Sequence, residues 1–125
     1  KLPTIIIQTA KRLKHAFIEN MDAVELIKRY DDEGTWLYID PPYPKETRKN
    51  YLYKHEADSD LHERLLDVCN IHKGMILIST YDNKLYAEKL LPPKWRKISL
   101  KAVAEKGLSR TEILYMNYEV PTKLV

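Results

Sequence analysis

The pattern of apolar residues predicts an α/β fold, mainly a parallel sheet with a terminal antiparallel hairpin, on three observations. Thr35-Trp36-Leu37-Tyr38-Ile39-Asp40 is an almost unbroken apolar run that stops at an acid followed by two prolines. Met75-Ile76-Leu77-Ile78-Ser79-Thr80 is a second such run, and helical periods lie between the two. Runs of this kind read as strands buried on both faces, as in parallel sheets covered by helices. Further on, Lys94–Ala104 and Ser109–Val120 alternate and are joined by Glu105-Lys106-Gly107-Leu108, which predicts two antiparallel strands.

A chain of 125 residues makes one modest domain, here 1–125, able to bury about two-thirds of its unfolded surface. Hydrophobic residues at 44% and charged residues at 31% are ordinary for a folded soluble protein. No apolar run approaches the roughly 18 residues of a membrane span, and no signal-peptide pattern opens the chain. A single cysteine, Cys69, allows no internal disulfide, and a cytoplasmic location is the simplest expectation. His15, His55, His62 and His72 are scattered without the i, i+4 spacing of a zinc site, so no metal is expected. A net charge of +3 is compatible with nucleic acid without requiring it. With only 3 glycines, a Gly-rich phosphate cradle has nothing to be built from. The chain opens on Lys1, which reads as a fragment or a trimmed product.

In chain order, Leu2 to Lys14 places Ile6, Ala10 and Leu13 on one helical face, with Pro3 or Thr4 opening the helix. Lys11, Arg12, Lys14 and His15 crowd its end, where cations suit the dipole and can also flank phosphates. Ala16-Phe17-Ile18-Glu19 reads as a short strand. Asp22 is a credible N-cap for a helix over 23–30 whose face is Ala23, Leu26, Ile27 and Tyr30. After the polar turn Asp31-Asp32-Glu33-Gly34, the strand ending at Asp40 completes a strand–helix–strand unit within about 25 residues, which implies a parallel pair.

The run 44–55 that follows has no helical or strand period. It sets Lys45, Arg48, Lys49 and Lys54 among Tyr43, Tyr51 and Tyr53. A basic-aromatic loop suits backbone phosphates and unstacked bases; a solvated surface loop is the plainer alternative. Asp58 or Ser59 caps a helix running to about Asn70, with Leu61, Leu65, Val68 and Cys69 inward, so Cys69 and His62 read as packing and surface residues, not ligands. Lys73-Gly74 closes it, and Tyr81 ends the next strand at the same sheet edge as Asp40. Asp82 or Asn83 caps a short helix that stops before Pro92-Pro93. Glu112 and Asn117 fall at solvent-facing or paired strand positions, and no catalytic role is assigned to either.

Chemistry concentrates at Asp40-Pro41-Pro42-Tyr43. Each proline lacks an N–H and fixes φ at about −65°, so the strand must stop there. What results is a stiff turn outside the carboxyl end of a strand, where open α/β sheets place ligands. It carries a carboxylate, proline carbonyls and a phenol ring, a small site for gripping a flat polar group. Capping of the turn by the acid is the structural alternative.

Together with Ile18–Asp31, Ile78–Asp82 and Arg110–Tyr118, this turn resembles the D12-class (Dam-type) adenine-specific DNA methyltransferases over roughly residues 12–118. One departure is that the family's N-terminal Phe-x-Gly-x-Gly segment is absent. The resemblance implies a partial Rossmann-like fold and S-adenosylmethionine as methyl donor. It also implies DNA as partner and transfer to the N6 amino group of a flipped adenine, as in restriction-modification. It makes Asp40, Pro41, Pro42 and Tyr43 the catalytic turn. It places Asn20, Met21 and Asp22, with Asp40 and Ser79, on the cofactor side, Asp22 serving equally as a cap. Tyr43, Lys45, Arg48, Lys49, Tyr51 and Tyr81 fall on the substrate side.

An adenine amino group is a poor nucleophile because its lone pair is delocalised into the ring. Acceptors at Asp40 and the Pro41 carbonyl would localise that pair while Tyr43 stacks on the base. Two other readings stand beside this one. The chain is an inactive remnant that binds nucleic acid weakly, or an amino-methyltransferase acting on RNA or protein. Without the Gly-rich segment, the sheet is expected to keep an open apolar edge, taken up by the missing N-terminal segment or by a second copy in a homodimer.

Overall fold

The computed structural model describes residues 2–43, 59–103 and 109–120. Helix α1 (Leu2–Leu13) has Pro3 in its first turn, where the missing N–H would be unsatisfied anyway, and Lys11 and Arg12 in its last. It buries no residue: Leu2, Ile5, Ile6 and Leu13 are each more than half exposed.

Ala16–Glu19, predicted as a strand, is irregular, and Phe17 and Ile18 are 88% and 89% exposed. A strand exists through the neighbour that takes up its backbone groups, and no described strand pairs with this segment. The parallel unit therefore starts later than predicted. It consists of β1 (Trp36–Ile39), α3 (Ser59–Ile71) and β2 (Met75–Tyr81). In sequence order α2 (Ala23–Arg29) precedes β1 and α4 (Lys84–Lys89) follows β2, before β3 (Arg96–Val103) and β4 (Ser109–Met116).

Among the described residues the sheet order is β1-β2-β4-β3, and only β1 and β2 run parallel. The mainly parallel sheet is thus corrected to a mixed one with one parallel pairing of three. The hairpin extends the β2 edge with two antiparallel ladders, while Ala16–Glu19 adds no strand to the parallel part.

One face of this sheet carries the core. Register places Leu37 with Ile76, Ile39 with Ile78, Ile78 with Tyr115 and Thr80 with Ile113. Ile76, Ile78, Ile113 and Tyr115 form one buried cluster with Val24 and Ile27 of α2, Leu65, Leu66, Val68 and Cys69 of α3, and Tyr86 of α4. On the opposite face Trp36 and Tyr38 remain 51% and 56% exposed; Met75 beside them in β2 is exposed, as are Ile98 and Leu100 of β3 at the far edge. The reading of Thr35–Asp40 as a strand buried on both faces is corrected: β1 is an edge strand covered on one side. An apolar run reports that a strand can be buried, not that a layer is present on each side.

Helix α2 is also turned differently from expectation. Its buried residues are Val24 and Ile27, while Ala23 and Tyr30 are exposed and Leu26 is half-buried. His62, read as a surface residue, is buried in α3 with Nδ1 2.8 Å from the Tyr86 hydroxyl. Burial pushes the Cys69 thiol up to about 12, so the buried cysteine is a packing group and not a nucleophile.

Polar ties fix the start of β2. His72 Nδ1 accepts from the Gly74 N–H at 2.9 Å, so the ring proton sits on Nε2, which donates to the Tyr30 carbonyl at 3.1 Å. Asn117 extends the β4 ladder with its side chain, accepting from the Ile76 N–H at 2.6 Å and donating to the Gly74 carbonyl at 3.0 Å. Gly74 has no room for a side chain in this junction. An added Cβ would lie 2.5 Å from the Thr35 carbonyl oxygen and 2.8 Å from that of Asp32, both backbone atoms. Gly74→Ala is expected to destabilise the fold by about 3 kcal/mol through this overpacking, seen as a lower urea midpoint at unchanged slope. An unchanged midpoint would show that the junction yields freely. Among the described residues no helix is long and apolar enough to cross a membrane.

Candidate active site

Because β1 and β2 are parallel neighbours, their carboxyl ends deliver Asp40 and Tyr81 to one side of the sheet. Asp40 is exposed, Pro41 is buried and Tyr43 is half-buried. The prolines end the β1 ladder and turn the chain so that the Tyr43 ring lies over that of Tyr81, centroids 3.8 Å apart and planes 13° from parallel. Tyr81 is itself pinned. Its backbone carbonyl accepts from Asn83 Nδ2 at 2.9 Å, while Asn83 Oδ1 accepts from the Tyr86 N–H at 3.0 Å as the N-cap of α4. One asparagine thus ties the strand end to the helix start.

Across the sheet from Tyr81 sits a half-buried acid. Register sets Glu112 of β4 directly opposite Tyr81, and Glu112 Oε1 accepts from the hydroxyl of buried Ser79 at 2.5 Å. The Tyr43 phenol is held well above its ordinary range, first by burial, then by its hydrogen bond with Tyr81 and by the charges of Tyr81, Asp40 and Glu112. The ring is therefore a neutral stacking surface at physiological pH. Outside the stack, Asp82 accepts from Lys97 Nζ at 3.0 Å, and that ammonium lies 5.9 Å from the centre of the Tyr115 ring.

A cavity of about 350 Å³ adjoins the turn on its other side. Its walls are Leu26 and Ile27 of α2, Leu37 and Ile39 of β1, and Leu61 and Leu65 of α3, with Tyr30, Tyr38 and Asp40–Pro42 among the lining. The α2 face predicted as core, Ala23, Leu26, Ile27 and Tyr30, lines this cavity. Among the described residues its lining is apolar with two phenols and a single carboxylate.

The structure brings Asp40, Tyr43, Ser79 and Tyr81 to one sheet end, Ser79 turned toward Glu112. It does not bring Asn20, Met21 and Asp22 to the cavity; Ala23 is the first residue of that segment to line it. The Asp22 carboxylate is committed elsewhere, accepting from the Glu25 N–H at 3.1 Å and lying 3.5 Å from Arg64. Lys45, Arg48, Lys49 and Tyr51 lie outside the described residues. Glu112 and Leu61 have places here that the sequence reading did not give them, and Asn83, one of the two predicted caps, also holds the Tyr81 carbonyl. For Glu112 the one local signal is β4 alternation, which puts it on a face with Leu114 and Met116. Among the described residues no group of three or more His, Cys, Asp and Glu is placed to hold a metal ion.

The family model for the D12 class N6 adenine-specific DNA methyltransferases matches residues 3–103, a span that includes the Asp40–Tyr43 turn and ends at the last residue of β3. No curated protein matches the chain.

Proposed function

We propose, because the chain belongs to the D12 class N6 adenine-specific DNA methyltransferase family, that the turn at Asp40–Tyr43 transfers a methyl group from S-adenosylmethionine to N6 of an adenine flipped out of DNA. The observation that carries this reading is the Tyr43 ring held flat and neutral beside Asp40 at the carboxyl end of β1. An adenine cannot reach such a pocket while stacked in a duplex, so it enters extruded and is gripped by stacking, worth about 1–3 kcal/mol per base on aromatic platforms. The Asp40 carboxylate and the Pro41 carbonyl accept the two N–H bonds of the amino group. They pull its lone pair out of the ring and stabilise the positive charge that develops on nitrogen. The stiffness of the diproline turn fixes both acceptors before the base arrives, so little reorganisation is left for the reaction.

The cavity beside Asp40 fits the adenosyl part of the cofactor: it is apolar and edged by Tyr30, Tyr38 and Asp40. When bound there, S-adenosylmethionine supplies an electrophilic methyl group on a sulfonium. These residues would hold and orient it.

The test uses unmethylated genomic DNA with methyl-labelled cofactor, followed by digestion to nucleosides. Label in N6-methyladenine is the expected result; label in another base, or only in added RNA or protein, overturns the adenine-in-DNA reading. DNA binding with no labelled nucleoside would decide for a second reading, binding without transfer.

A further inference from the structure

We propose that Glu112, tied to Ser79, is a positioning residue that holds the Tyr81 ring parallel to Tyr43 and so presets the aromatic platform for the base. The inference rests on the methyltransferase reading of the site. It concerns a residue beyond the segment matched by the family model.

The geometry is a cross-strand brace. Ser79 and Tyr81 project from the same face of β2, and their partners in β4 are Leu114 and Glu112. The Glu112 side chain starts opposite Tyr81 and ends on Ser79 Oγ, two residues back along β2. It therefore spans the sheet face from one residue to the other, along the flank on which the Tyr81 ring stands. A carboxylate lying loose at this half-buried position would seek water. The short bond from a buried hydroxyl holds it against the sheet instead. Asn83 holds the Tyr81 carbonyl, and the brace adds a side-chain constraint on the same strand end.

The brace works through its hydrogen bond, so acceptance from Ser79 matters and charge does not. That separates three substitutions. Glu112→Gln retains an oxygen for Ser79; Glu112→Ala and Ser79→Ala each remove the tie. Parallel tyrosines in contact couple their near-ultraviolet transitions, so circular dichroism reads the stack in the 125-residue chain without DNA or cofactor. Glu112→Ala and Ser79→Ala are expected to lose the same part of that signal, the double variant to lose no more than either, and Glu112→Gln to retain it. In the labelled-cofactor assay on DNA, Glu112→Ala is expected to raise KM for DNA about tenfold, within the range a weakened base stack gives, with kcat within about twofold. Thermal melts confirm that each variant is folded, and Ser79→Ala serves where Glu112→Ala fails to fold.

An unchanged near-ultraviolet spectrum in folded Glu112→Ala overturns the proposal. So does a Glu112→Gln spectrum as altered as that of alanine, or a loss confined to kcat. Should the unaltered chain methylate no adenine, the functional reading falls while the spectral comparison still decides whether Glu112 braces the stack.

Discussion

Asp40→Ala is expected to lower kcat for adenine methylation by about 10²–10³-fold, the usual cost of removing one preorganised group from developing charge. The lone pair of the adenine amino group is available only when both N–H bonds are drawn to acceptors, and the Pro41 carbonyl alone provides one. Because Asp40 is exposed and no described hydrogen bond of the fold runs through it, the variant should melt near the temperature of the unaltered chain. The loss would then belong to the chemistry and not to folding. Asp40→Asn gives a finer comparison. It keeps an acceptor oxygen but not the negative charge, so it should fall between the two, with the shortfall from the unaltered chain measuring the electrostatic part. KM for DNA should move little in either variant, since stacking on Tyr43 remains. Single-turnover rates at saturating DNA and cofactor check this. Asp40→Ala transferring at the unaltered rate would remove the acid from the mechanism and leave it as a turn residue.

Much of the local structure was legible because its causes are local. The diproline end of β1, the Asp22 cap of α2, the Asn83 cap of α4 and the hairpin of β3 and β4 each follow from residues a few positions apart. What was not legible is what lies next to what. Phe17 and Ile18 have strand-like side chains but no pairing strand, and Trp36 and Tyr38 belong to an apolar run whose outer face is left uncovered. Insertion of β4 beside β2 could not be inferred from alternation, which is the same for either edge of a hairpin. The site divides in the same way. Asp40 and Tyr43 announce themselves within four residues, and Tyr81 follows from strand parallelism. The bond from Ser79 to Glu112 joins residues far apart in sequence, and only the β2–β4 register brings them together. The cavity had a related signal: the α2 stripe of Ala23, Leu26, Ile27 and Tyr30 was visible as apolar, but periodicity does not distinguish a packed face from one lining a void.

The largest expected effect on stability is at Tyr86. Its ring is fully buried at the join of α3, α4 and the sheet, edge-on to His62 at 5.7 Å and tilted against Tyr115 at 6.5 Å. Tyr86→Ala opens a cavity in the middle of the core and should cost about 4 kcal/mol, enough to unfold a marginal domain. Tyr86→Phe keeps the packing and removes only the hydroxyl at His62 Nδ1, at a cost of about 1 kcal/mol. The two variants also separate packing from ionisation. Burial holds the Tyr86 and Tyr115 phenols above their ordinary value, whereas in the unfolded chain they titrate at about 10. Below that pH both states keep the protons and stability is flat. Above it the unfolded chain releases protons that the folded chain retains, so stability falls as pH rises. Tyr86→Phe removes one of these groups, so between pH ~7 and ~11 its stability should decline less than that of the unaltered chain. Urea melts at the two pH values measure the difference directly. Equal declines would mean that the Tyr86 phenol ionises as readily folded as unfolded, which its burial and its bond to His62 do not permit.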